Sequence, residues 1–206
     1  MGETTLTPFC SWAYRVLFIG NSLTASNDLP NTVAQLAAPV DDTIVVESVT
    51  RPNFAVIDHV SGMSNAVDVI RRERWDYVVL QQGPTSQQLY RGALILATRL
   101  LQPDIQAAGP RTAQLMVWPA AQNMAVFDGV LRSGLEAASA VDGLCLPAGE
   151  AWRAAWAVDP TLGFYGPVAS TRLRSVPISL RWSYTRALPG TTPARCRRRP
   201  SSRGNG

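Results

Sequence analysis

Residues 16–24 read Val-Leu-Phe-Ile-Gly-Asn-Ser-Leu-Thr. An apolar run ends at Gly20, and a serine follows two residues later. A short unbroken apolar run of this kind is a strand buried on both faces, as in a parallel sheet. A tight turn at its end would lift Ser22 to the rim of that sheet, where its hydroxyl could serve as a nucleophile. The plain alternative is a serine that caps the following helix.

Outward from this stretch, strand-length and helix-length patterns alternate up to about residue 165. The first strand is predicted over Arg15–Ile19 and the first helix over Leu29–Ala38. Thr43–Val49 is rich in β-branched residues and reads as a second strand. From Phe54 to about Arg72, Ile57, Val60, Val67 and Ile70 recur at a roughly helical spacing. Tyr77–Gln81 is a third strand, stopped by Gly83-Pro84. Leu89–Ala108 is helical, with Pro103 expected to kink or split it. Leu115–Trp118 is a fourth strand, Met124–Ala140 a helix, Leu144–Leu146 a fifth strand and Gly149–Val158 a last short helix. Strands separated by helix-length segments imply right-handed crossovers and a parallel sheet with helices on both faces. The expected fold is therefore α/β, a flavodoxin-like three-layer α/β/α sandwich with about five parallel strands. In such sheets the site lies beyond the carboxyl ends of the strands. Ser22, Asn53 and the pair Gln81/Gln82 all fall there, after strands one, two and three.

The chain has 206 residues and is 46% hydrophobic, enough for one domain with a sizeable core. Cys10, Cys145 and Cys196 are odd in number and far apart, which suggests neither a disulfide framework nor a metal site. No run is long enough to span a bilayer, and the first apolar run fits a strand better than a secretory signal. A cytoplasmic location is the default expectation. The net charge of +4 averages two unlike parts. Residues 1–167 hold 10 Arg against 15 Asp and Glu, a net of −5, while residues 168–206 hold 9 Arg and no acid, a net of +9. Lysine is absent throughout.

Gly20-Asn21-Ser22-Leu23 resembles the first signature block of the GDSL/SGNH hydrolases, whose serine attacks an ester or acyl carbonyl. Asn53-Phe54-Ala55-Val56-Ile57-Asp58-His59 resembles the second block, where a glycine N–H faces the oxyanion. Asn53 stands in that glycine's place, and Asn tolerates left-handed backbone better than most residues. Trp75-Asp76-Tyr77-Val78-Val79-Leu80-Gln81-Gln82-Gly83-Pro84 resembles the third block in a subgroup with a Leu-Gln-x motif. The Gly-x-Asn-Asp of typical members is missing, so Gln81 or Gln82 is the candidate amide donor, against the plainer reading of strand-end capping. Met116-Val117-Trp118-Pro119 and Pro147-Ala148-Gly149-Glu150-Ala151-Trp152 resemble further stretches of that subgroup. The resemblance implies an ester hydrolase, acting on a small-molecule or carbohydrate ester, with Ser22 as nucleophile. The oxyanion would be held by the N–H groups of Ser22 and Asn53 and by a Gln81 or Gln82 amide. It implies no cofactor, metal, nucleic acid or membrane partner.

One block is missing. Members of the family carry Asp-x-x-His near the C-terminus, supplying the base and the acid that orients it. The single histidine here, His59, lies on the second predicted helix, and no histidine follows Asp159. A reading-frame shift near codon 167 or 168 accounts for this. With permitted codons, Val168–Arg172 read from the third base of the valine codon gives Gly-Phe-His-Pro, and the single codon of Trp182 fits the same shift. The expected organisation is thus a truncated hydrolase-like domain over 1–167 and an aberrant, Arg-rich, poorly ordered tail over 168–206. Such a chain should be impaired in turnover. Two rival readings are a non-catalytic ligand-binding module using the same pocket and a nucleic-acid binder acting through the tail. The tail's arginines lack the interleaved aromatics that favour the latter.

Overall fold

The structure is a computed structural model, described here for residues 13–40 and 43–165. Five strands, β1 (Ala13–Gly20), β2 (Thr43–Thr50), β3 (Tyr77–Leu80), β4 (Arg111–Met116) and β5 (Leu144–Pro147), form one sheet in the order β2-β1-β3-β4-β5. Every pairing is parallel. This is the flavodoxin-like order, whose switch point lies between β1 and β3. The interior strand β1, between β2 and β3, is the apolar run that opened the sequence, and Leu17 and Ile19 are wholly buried.

Alternation along the strands divides the core in two. Leu17, Ile19, Val78 and Leu80 face one side and pack with residues of α3 (Val56–Val60), α4 (Ala66–Arg72), α5 (Gln88–Ala108) and α6 (Phe127–Ser139). Val16, Phe18, Val79 and Ala113 face the other. The crossover from β1 to β2 passes through α2 (Leu29–Ala37) and runs opposite to the remaining crossovers. Right-handedness therefore places α2 on the second face. The result is the three-layer sandwich expected from the sequence.

Four expectations need correction. Residues 54–72 form two helices rather than one, because Gly62 adopts φ +78 in the turn between α3 and α4. Of the two outcomes expected at Pro103, a kink or a split, the split is excluded, because α5 runs continuously through it. An interior proline costs about 3 kcal/mol, but Leu94, Leu101 and Ile105 anchor the helix on both sides of it, each worth roughly 1.5–3 kcal/mol of burial. The fourth strand runs Arg111–Met116, earlier than the apolar run Leu115–Trp118. Register with β3, from Tyr77↔Arg111 to Leu80↔Gln114, decides its position. Its buried polar residues Thr112 and Gln114 hid it from a hydrophobic reading. Finally, residues 121–126 are a 3-10 turn, and α6 begins only at Phe127. The expectations for the tail over 168–206 lie outside the described residues.

Candidate active site

β1 ends at Gly20, and the chain turns at once into a one-turn helix, α1 (Ser22–Ala25). The cap of this helix is Asn21, whose Oδ1 accepts from the Leu23 N–H at 3.0 Å. Ser22 is therefore not the cap. It is the first helical residue, exposed, and its hydroxyl makes no hydrogen bond to the described residues.

Beneath it lies a closed polar network. The Asn21 N–H donates to Gln81 Oε1 at 3.1 Å, and Gln81 Nε2 donates back to Asn21 Oδ1 at 3.1 Å. Thr24 Oγ1 donates to the same Gln81 Oε1 at 2.7 Å. Asn21 Nδ2 donates to the Phe54 carbonyl at 2.9 Å, tying the turn after β1 to the loop after β2. Asn21, Thr24 and Gln81 are all buried, where an unpaired amide or hydroxyl would cost about 1–3 kcal/mol. Every one of their side-chain groups is engaged. The same crowding explains Gly20: a Cβ there would sit 2.5 Å from Gln81 Oε1 and 2.7 Å from Thr24 Oγ1.

The two glutamines, equivalent in the sequence, are now distinct. Gln81 is 1% exposed and fully used by Asn21 and Thr24. Gln82 receives the Val56 N–H on Oε1 at 3.0 Å. A backbone N–H can only donate, so this bond fixes which end of the amide is oxygen. Gln82 Nε2 is left with no partner among the described residues.

Asn53 has φ +61, the left-handed conformation that favours glycine and that Asn tolerates better than most residues. The N–H groups of Ser22 and Asn53 make no hydrogen bond among the described residues. Gly20 pairs with Thr50, and Ile19 with Leu80, on neighbouring strands about 4.8 Å apart. Ser22, Asn53 and Gln82 thus follow the carboxyl ends of three adjacent strands, joined by bonds through Asn21, Phe54 and Val56.

His59 is fully buried on α3. Its Nε2 contacts the Gly20 carbonyl at 3.0 Å and its Nδ1 the Ser64 hydroxyl at 2.8 Å. A carbonyl only accepts, so Nε2 carries the proton and Nδ1 accepts from Ser64. Burial pushes the His59 pKa down, which keeps the ring neutral. Both nitrogens are engaged below the turn, so the ring holds the end of β1 in place. The Phe54 ring packs edge-on against it, with centroids 5.2 Å apart. Among the described residues, no three His, Cys, Asp or Glu side chains converge as a metal site, and no helix is long and apolar enough to cross a membrane. Burial pushes the Cys145 thiol up, away from reactive thiolate character.

The sequence reading quoted Asn21 but gave it no role, and passed over Thr24. The available signal was an Asn at the strand-to-helix junction, a favoured N-cap. Its second function, clasping Gln81 across two strands, depends on the β1–β3 pairing.

No family model matches the sequence, and none of the curated proteins does. Solved structures do match. A candidate SGNH hydrolase from Slackia heliotrinireducens is 22% identical, with a TM-score of 0.57 over 69% of this chain and 83% of that one. A DUF4886 family protein from Bacteroides uniformis is 16% identical, with a TM-score of 0.59 over 68% and 69%. A member of the lipolytic G-D-S-L family from Veillonella parvula is 12% identical, with a TM-score of 0.53 over 77% and 88%. Together with the 2-1-3-4-5 parallel sheet, these similarities show that the described part of the chain has the three-layer α/β/α fold of the SGNH/GDSL hydrolases.

Proposed function

We propose that the turn after β1 is the nucleophile site of an ester hydrolase of the SGNH type, acting on a small-molecule or carbohydrate ester. The observation that carries this reading is the presentation of Ser22. It is exposed above a saturated buried network, and among the described residues its hydroxyl, the N–H groups of Ser22 and Asn53 and the Nε2 of Gln82, which follow the same three strand ends, have no hydrogen-bond partner. In the reaction, Ser22 Oγ attacks the acyl carbon and its proton passes to a base. The ester C–O bond breaks, and the alcohol leaves with that proton. Water then releases the acid from Ser22. The negative charge on the carbonyl oxygen during attack is held by the three N–H donors. Gln81 takes no part in this; it positions Asn21 and so Ser22.

No histidine in the sequence is left to serve as the base. His59 is the single histidine, and both of its nitrogens are engaged in the core. Without a base the serine is a weak nucleophile, so this chain turns over slowly. The same absence favours the second reading, a module that binds an acyl ester without cleaving it. A fluorophosphonate probe, whose phosphorus is attacked by an activated serine with loss of fluoride, separates the two. The hydrolase reading expects slow labelling that Ser22→Ala abolishes while the melting temperature stays within a few degrees. Labelling that survives Ser22→Ala overturns the assignment. Ligand binding with no labelling at all supports the binding module.

A further inference from the structure

The outward face of α5 does not look like one made for water. Leu89, Ala93, Leu96, Leu100, Pro103 and Ala107 are all exposed, with Leu89 78%, Leu96 54% and Leu100 49% accessible. Their spacing is 4-3-4-3-4, the a/d repeat of a helix seam, sustained from Leu89 to Ala107, about 27 Å of helix. The helix's opposite side, Leu94, Ala97, Leu101 and Ile105, already fills the core. The outer seam is thus a second apolar face, one that no described element of the chain covers. Arg99 is the only charged residue among the exposed positions of α5. A solvated helix normally carries a polar face there.

We propose that α5 pairs in parallel with α5 of a second copy of this chain, across a two-fold axis running along the helices. Two observations favour a copy of the same chain over another occupant. The 3.5-residue period matches a partner that is itself a helix, whereas a lipid surface asks for apolar area without a heptad repeat. The flanking charges also complement each other. Arg99 borders the seam on one side and Asp104, five residues on, borders it on the other. In a parallel pair, Arg99 of each copy meets Asp104 of its partner, the usual flank pairing across a seam. Arg99 has no carboxylate partner among the described residues. Asp104 already receives Arg71 but keeps a carboxylate edge in solvent. Gly92, Ala93 and Ala107 are small and allow close approach.

A single helix seam offers only a few apolar side chains, where a standard interface engages roughly 20–30 residues a side, so the pair should dissociate on dilution through the micromolar range. Sedimentation equilibrium of the full chain from about 1 to 200 μM tests this. The expected result is a rise from 22.3 kDa towards twice that mass. Leu96→Glu with Leu100→Glu should hold the chain at the monomer mass with an unchanged circular-dichroism spectrum. Because those changes could disturb folding, Arg99→Glu provides a milder test. It should weaken pairing at least tenfold, and Arg99→Glu with Asp104→Arg should restore it. A monomer at every concentration overturns the proposal, as does a dimer indifferent to both sets of changes. A monomer that instead co-sediments through Leu96 and Leu100 with phosphatidylcholine–phosphatidylglycerol vesicles assigns the face to a membrane and also overturns it.

Discussion

Asn21 and Gln81 clasp each other in both directions: the Asn21 backbone donates to the Gln81 side chain, and the Gln81 side chain donates to the Asn21 side chain, each at 3.1 Å. A clasp of this kind fixes the turn that carries Ser22 more firmly than a single bond would. Neither amide can rotate without breaking contacts at both ends.

Gln81→Leu fits the same volume but removes both halves of the clasp. The Asn21 N–H and the Thr24 hydroxyl are then buried without partners, at about 1–3 kcal/mol each. Thermal melting should show a loss of several degrees, on the scale of roughly 2–4 °C per kcal/mol for a domain of this size. An unchanged melting temperature would show that the clasp does not hold the turn.

Gln82→Glu separates position from donation. The Val56 N–H can still be accepted by a carboxylate oxygen, so melting should shift little. The Nε2 donor is lost, and a negative charge replaces it beside the site. Labelling of Ser22 by the fluorophosphonate should slow by roughly 10²-fold or more, the usual effect of losing one such donor. Equal rates in the two proteins would remove Gln82 from the site.

His59 makes stability depend on pH with a definite sign. Its folded pKa lies below the ordinary value because burial opposes the charged ring. The unfolded chain therefore binds the proton first, and stability falls as pH drops below about 6.5. Above that pH the contribution of the neutral ring is fully present. Melting curves at pH 7.5, 6.5 and 5.5 should show this decline, and in His59→Gln it should be much reduced from a lower starting stability. A decline of the same size in His59→Gln would place the titrating group elsewhere.

Reading the chain in the shifted frame after Pro167 should supply the missing Asp and His and an apolar C-terminal helix. Turnover of p-nitrophenyl acetate through Ser22 should then rise by orders of magnitude, and the melting temperature should rise with it. Each protein needs its own Ser22→Ala control. If the present chain already hydrolyses the ester as fast through Ser22, a base other than the one expected lies within residues 1–206.

The amino-acid sequence by itself determined the order of the five strands, the parallel sheet and the strand ends at which the candidate residues stand. These follow from local pattern, because a buried strand must be apolar and a crossover needs helix-length chain. Ser22 and Asn53 were legible for the same reason, each standing just past an apolar run. The tertiary structure alone decided what the neighbours do. Gln81 and Gln82 are adjacent and chemically identical, yet one is spent beneath Asn21 and the other has no partner for its amide nitrogen among the described residues. That difference arises from side chains alternating across the strand end and from partners 60 and 26 residues away in the chain. His59 likewise reads as a helical histidine until the fold brings the Gly20 carbonyl against its Nε2. The start of β4 belongs to the same class: its polar residues are buried through pairing with β3, which no periodicity within residues 111–116 could reveal. Hydrophobic pattern is a property of neighbours in sequence, whereas hydrogen-bond satisfaction in the core is a property of neighbours in space.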